Sequence, residues 1–186
     1  MASQVVLILD FGGQYNQLIA RRVREANVYC EVKPCSISPA EIEKIAPIGI
    51  ILSGGPQSVY ESVSLRVDPA LFALGIPVLG ICYGCQLMAY SLGGTVAAAT
   101  EATAREYGKT LTEFDTHSAI FQDLPASSVT WMSHGDYISR VPDGFTVTAK
   151  TAVCPTAAMA CPEKRLYGVQ FHPEVQHTVE GSEMLR

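Results

Sequence analysis

Uninterrupted apolar runs constrain this chain most. Val5-Val-Leu-Ile-Leu9, Gly49-Ile-Ile-Leu52 and Pro77-Val-Leu-Gly-Ile81 contain no charged or hydrogen-bonding side chain. A strand with one wet face alternates polar and apolar residues, whereas an unbroken run has both faces covered. Helical signals separate the runs. Leu18, Ile19 and Val23 repeat with helical period among Arg21, Arg22 and Arg24. Ser38-Pro39-Ala40-Glu41 is a capping box with proline at the first helical position, and Ile37 and Ile42 are spaced for a hydrophobic staple. Residues 28–32 read as a second strand, 69–74 as helical, and 86–92 as a helix closed by Gly93-Gly94. Strand and helix in alternation predict an α/β fold: a doubly wound, mostly parallel sheet with helices on both faces. Beyond about residue 95 the texture changes. Residues 129–132 and 145–149 predict shorter strands in a small antiparallel extension, and 167–171 a late strand that rejoins the main sheet. Residues 1–186 are read as one domain.

Composition excludes several classes of function. Of the 186 residues, 48% are hydrophobic and 17% charged, and no apolar run approaches the ~20 residues that span a bilayer. The start, MASQVVLILD, has neither a basic flank nor a cleavage site and reads as a strand, so a cytoplasmic protein is expected. A net charge of -5 without a basic cluster argues against nucleic acid and anionic membrane as partners. Six cysteines, at 30, 35, 82, 85, 154 and 161, do not suggest a disulfide framework in that compartment. Cys82 and Cys85 form C-x-x-C, but zinc needs a second pair, and Cys154 and Cys161 are widely spaced and interrupted by Pro155 and Pro162. No metal site is expected. A thioredoxin-like redox pair is the remaining alternative for Cys82 and Cys85.

Three segments point to chemistry. Gly80-Ile-Cys-Tyr-Gly84 is G-x-C-x-G between an apolar strand and a helical pattern, the cysteine counterpart of a nucleophile elbow. A sharp turn there lifts the sulfur above the sheet, and the helix N-terminus favours thiolate; the plainer reading is a buried structural cysteine. Phe171-His-Pro-Glu174 places a histidine at a strand end with a carboxylate two residues on. A thiolate attacking a carboxamide needs a proton donor for departing ammonia, and His172 oriented by Glu174 supplies one. His117, His134 and His177 compete, but only His172 has both a fixing strand and that carboxylate. Ser53-Gly-Gly-Pro56 follows a strand, where glycines let backbone N–H groups approach a ligand. Ser-Gly-Gly-x-x-Ser is similar to an ATP pyrophosphatase phosphate loop, but Gln57 replaces its usual aspartate and Pro56 lacks an N–H. An oxyanion loop using the Gly55 and Tyr83 amides is favoured over that and over a plain turn.

Gly80-Ile-Cys-Tyr-Gly84, Gly54-Gly-Pro56 and His172-Pro-Glu174, in this arrangement, resemble the class I (triad) glutamine amidotransferases. Asp10-Phe-Gly-Gly-Gln-Tyr15, Gln17-Leu-Ile-Ala-Arg-Arg-Val-Arg24, Trp131-Met-Ser-His-Gly-Asp136 and 168–178 resemble the GMP synthetase branch of that family, over nearly the whole chain. The resemblance implies that Cys82 attacks glutamine, that Gly55 and Tyr83 amides hold the oxyanion, and that His172 with Glu174 is the acid and base. It further implies glutamine contacts from Gly54, Gln86 and the backbone near Ser133 and His134. It implies no cofactor in this chain, but ATP and Mg2+ in an ATP-pyrophosphatase synthetase domain that aminates XMP, and a homodimeric full-length enzyme. Cys85 departs from the methionine usual in the bacterial-type motif. The chain ends at Glu183-Met-Leu-Arg186 as an amphipathic helix begins, with no pyrophosphatase loop following, so a piece of a two-domain enzyme or a separate subunit is expected. The alternatives are a subunit serving another acceptor, a binding module that kept the fold without the activity, and the Cys82/Cys85 redox protein.

Overall fold

The computed structural model describes residues 4–100 and 105–186. Met1 to Ser3, the start of the segment read against a signal peptide, lie outside the described residues. The apolar runs become β1 (Val5–Asp10), β3 (Gly49–Leu52) and β4 (Val78–Ile81), joined by β2 (Tyr29–Pro34) and β11 (Leu166–Val169). They pair in parallel in the order β2-β1-β3-β4-β11. β10 (Ala158–Cys161), β9 (Thr146–Lys150), β6 (Glu106–Phe114) and β7 (Ser127–His134) continue the same sheet antiparallel, so the extension runs to four strands. β5 (Thr95–Ala98) and β8 (Asp136–Arg140) form a separate antiparallel pair.

Successive residues of β1 point to opposite faces, and each face has its own core. Ile8 joins Ile51 and Ile81 beneath Ile19, Ala20 and Val23 of α1 (Asn16–Glu25). Leu7 and Leu9 join Leu52 beneath Ile42 of α2 (Pro39–Ile45) and Leu87 and Met88 of α3 (Tyr83–Ser91). Both faces are thus covered, which is why the runs Val5–Leu9, Gly49–Leu52 and Val78–Ile81 carry no polar side chain. The Ser38 side chain accepts from Glu41 N at 3.2 Å while Glu41 Oε2 accepts from Ser38 N at 2.9 Å, the reciprocal box read in the sequence.

Boundaries move where turns are tighter than periodicity reveals. Pro69–Ala73 is a 3-10 helix. Helix α3 begins at Tyr83 rather than Gln86, because the chain reverses within the single residue Cys82. The last parallel strand ends at Val169, so Gln170 and Phe171 leave the sheet rather than extend it. A four-residue helix, α4 (Gly181–Met184), follows the site segment.

Candidate active site

Cys82 makes the whole turn from β4 to α3, and it does so at φ 53°, ψ −108°. A side chain there is strained by ~1–3 kcal/mol, so the surroundings must impose it. They do. Cys82 N donates to Val169 O at 2.8 Å, and the flanking glycines allow the two arms of the turn to touch. A Cβ on Gly80 would stand 2.6 Å from Gly84 O, and one on Gly84 would strike Leu52 O. Intrahelical bonding starts with Gln86 N to Cys82 O at 3.1 Å, which leaves the first-turn amides, Tyr83 among them, facing the helix mouth.

His172 is fixed from several directions. Its N–H donates to Trp131 O at 3.0 Å, its carbonyl accepts from Thr178 Oγ1 at 2.6 Å, and its ring meets Tyr15 edge-on at 5.5 Å. Nδ1 lies 2.7 Å from Glu174 Oε1. Glu174 is wholly buried, its Oε2 has no hydrogen-bond partner among the described residues, and its backbone carbonyl accepts from Arg22 Nε at 3.0 Å. Burial works against charge on His172, but hydrogen bonds to Cys82 and to Glu174, with the negative charge of both, outweigh it and raise the imidazole to about 10. The site thus favours the charged ring, whose Nδ1 faces the carboxylate. The competing histidines are spent elsewhere. His117 is exposed beside Asp115, His177 stacks on Trp131, and both ring nitrogens of His134 are taken by Asp136 O at 2.9 Å and Glu106 Oε2 at 3.0 Å.

Cys82, His172, Glu174, Gly54, Gly55, Tyr83, Gln86, Ser133 and His134 all line one cleft of about 670 Å³. That size suits a small molecule. Ser133 O is 3.8 Å from Cys82 Sγ, and a Cβ on Gly54 would come within 3.2 Å of His172 Cε1. With its ring occupied, His134 can offer a ligand only its backbone. Gln86 directs both N–H groups inward, to Asp136 O and to Gln170 Oε1, each at 3.0 Å. What remains for a ligand is its Oε1. The Ser53 loop packs on the segment after β1: a Cβ on Gly55 would lie 2.7 Å from Phe11 O, and one on Gly13 would strike Gly54 O. With that packing and with Pro56 lacking an N–H, the loop does not fit the phosphates of ATP.

Cys85 is fully buried, and burial raises its thiol well above the ordinary range. An exchanging dithiol needs an accessible thiolate, so the redox alternative fails. Among the described residues, Glu106, His134 and Cys154 hold potential ligand atoms within 4.8 Å of one another. Burial, then the charge of Glu106, raises the Cys154 thiol to about 12, and it donates to Thr156 O at 3.4 Å. These side chains already bond to one another and to protein, His134 Nε2 lying 3.0 Å from Glu106 Oε2 and Thr151 Oγ1 donating to Glu106 Oε1 at 2.6 Å, and the group reads as a buried polar knot. Sequence reasoning missed Glu106 and Gln170. The latter is wholly buried with Nε2 3.6 Å from Cys82 Sγ, and a lone amide beside an apolar strand was its only signal.

Residues 7–186 match the family model described as glutamine amidotransferase class-I. This chain belongs to that family. The amidotransferase chain is 56% identical over 185 residues to a GMP synthase (glutamine-hydrolyzing) of Clostridium botulinum (strain Alaska E43 / Type E3), and 54% over 186 residues to one of Bacillus pumilus (strain SAFR-032). In both cases all of this chain is covered but only 36% of the relative. A crystal structure of a GMP synthase subunit from Thermoplasma acidophilum superposes with a TM-score of 0.85 at 30% identity, covering 100% of this chain and 92% of the other. A glutamine amidotransferase from Thermotoga maritima, at 22% identity and a TM-score of 0.76 over 94% and 78% of the two chains, shares the fold.

Proposed function

We propose that this chain is the glutaminase portion of a GMP synthase, residues 1–186 acting as one amidotransferase domain. The observation that carries the reading is the gathering of Cys82, His172 and the buried Glu174 in one cleft, with His172 Nδ1 2.7 Å from Glu174 Oε1. Cys82 sulfur attacks the side-chain amide carbon of glutamine, and the Gly55 and Tyr83 amides receive the oxyanion. His172 gives its proton to the amide nitrogen, the C–N bond breaks, and ammonia leaves a γ-glutamyl thioester. The imidazole then takes a proton from water, the water oxygen adds to the thioester, and glutamate departs as sulfur regains its electron pair. Glu174 holds the ring in the required tautomer throughout. Gly54 and the Ser133–His134 backbone form the wall on which the substrate lies, with Gln86 Oε1 beside them.

The curated relatives extend well beyond this chain, and their name supplies the acceptor. In this reading, ammonia passes to a synthetase portion that activates XMP with ATP and Mg2+, in a homodimeric cytoplasmic enzyme. None of that chemistry is placed in this chain, whose Ser53 loop does not suit phosphate. The test is ammonia release from glutamine, with XMP amination measured after the synthetase portion is added. GMP formed only in the mixture supports the reading. Absence of glutamine hydrolysis under both conditions overturns it.

A further inference from the structure

We propose that Gln170 is a further catalytic residue, donating a side-chain N–H to the Cys82 sulfur, and that Gln86 and the carbonyl of Asp136 fix it in that orientation. This rests on Cys82 being the nucleophile, as proposed above. Gln170 follows β11 immediately, and its own N–H donates to Ala157 O at 2.8 Å while the preceding Val169 carbonyl takes Cys82 N. The backbone thus holds the amide against the elbow. It is completely buried, so it must find partners in the protein, and one of them is sulfur.

The neighbouring donors and acceptors decide which end of the Gln170 amide faces sulfur. The Asp136 carbonyl can only accept. The Gln86 atom 3.0 Å from it is therefore the NH2 group. The second hydrogen of that group points at Gln170, 3.0 Å away, so Gln170 presents its oxygen there and turns its own NH2 to Cys82 Sγ at 3.6 Å. The same Asp136 carbonyl accepts from His134 Nδ1 at 2.9 Å, and His134 Nε2 is held by Glu106 Oε2 at 3.0 Å. Glu106 is braced in turn by Thr151 Oγ1, which donates to its Oε1 at 2.6 Å. Asp136 O thus accepts from both His134 and Gln86, and Gln86 donates onward to Gln170, whose own N–H reaches the nucleophile.

An N–H aimed at sulfur favours the anion over the neutral thiol and over the thioester, whose sulfur is a weak acceptor. Charge leaves sulfur when the S–C bond forms and returns when water displaces it. The Gln170 amide therefore assists most in hydrolysis of the thioester, when the C–S bond breaks and sulfur leaves with the electron pair.

The experiment compares Gln170→Met and Gln170→Glu, both close in size and without the N–H, with the parent chain. It reads the pH profile of Cys82 alkylation by iodoacetamide, the kcat and KM for glutamine, and thioester in acid-quenched samples by mass. We expect kcat to fall roughly tenfold or more and KM to fall with it, as slowed thioester hydrolysis becomes rate-limiting, since a hydrogen bond to a charged group is at stake. The alkylation profile should move to higher pH and the thioester should accumulate. Gln86→Met, which frees the Gln170 amide to rotate, should move the alkylation profile in the same direction by less, and it supplies the reading if the Gln170 variants do not fold. An unchanged alkylation profile in these variants, or a change in KM alone, overturns the role of Gln170. Failure of the underlying reading looks different: ammonia release would survive Cys82→Ala.

Discussion

Cys82 occupies backbone space that suits glycine, and that strain is what raises its sulfur clear of the sheet. Two outcomes follow. Cys82→Ala should abolish ammonia release and leave the fold intact, read by ammonia assay and circular dichroism. Cys82→Gly should be equally inactive but more stable than Cys82→Ala by ~1–3 kcal/mol in urea unfolding, because it relieves the positive φ. Equal stability of the two variants would mean that the turn stores no strain. For the triad partners, Glu174→Gln should slow turnover less than His172→Ala, because it disturbs the orientation of a base and does not remove it. Equal or reversed losses in steady-state rate would count against those roles. The His172 charge also carries a pH signature. Its imidazole is raised from the ordinary 6.5 to about 10 in the folded chain, so the folded state binds a proton that the unfolded chain releases sooner. That contribution to stability is complete below pH 6.5 and is lost as pH rises toward 10. The melting temperature should therefore fall between those limits more steeply in the parent than in His172→Asn. That Cys82, His172 and Glu174 share one cleft was legible in the sequence because each sits in a short motif at the end of a strand. Gln170 was not, because its partner Cys82 is 88 positions away and no local pattern announces a pair so distant.

At the scale of elements, the sheet was legible wherever burial is two-sided. β1, β3 and β4 appear as apolar runs because α1 covers one face and α2 and α3 the other. Helix α2 was legible because its cap is written in four adjacent residues, and Ser38→Ala should cost ~1 kcal/mol in thermal or urea unfolding without altering glutamine hydrolysis. The start of α3 was misplaced by three residues, since Gly84 reads as a helix breaker. Its reason is steric: any side chain there would meet the backbone of Leu52. Gly84→Ala should accordingly destabilise the chain by more than the ~1 kcal/mol that an exposed helical glycine would gain from the same change, and in the opposite sense. The antiparallel half was less legible. Its strands are partly exposed, broken by a bulge between β9 and β10, and paired out of sequence order.

At the scale of the whole molecule, the cleft gathers residues from the loop after β3, the β4–α3 turn, α3, the β7–β8 turn and the segment after β11, and only the complete sheet brings them together. The chain spans about a third of the curated relatives it matches. Free hydrolysis would waste glutamine, so the proposed glutaminase should be slow by itself and several-fold faster with its synthetase portion, XMP and ATP present. A coupling free energy of ~1–3 kcal/mol between the two sites suffices. An isolated chain already running at the rate of the loaded enzyme would remove that control. The central claim, that Cys82 attacks the amide carbon of glutamine, is tested most directly by a glutamine-analogue electrophile followed by mass mapping of the adduct. The expected result is one modified residue, Cys82, with loss of ammonia release in proportion to labelling and protection by glutamine. Labelling of Cys85 in preference to Cys82, or ammonia release that persists once Cys82 is fully modified, would contradict the account.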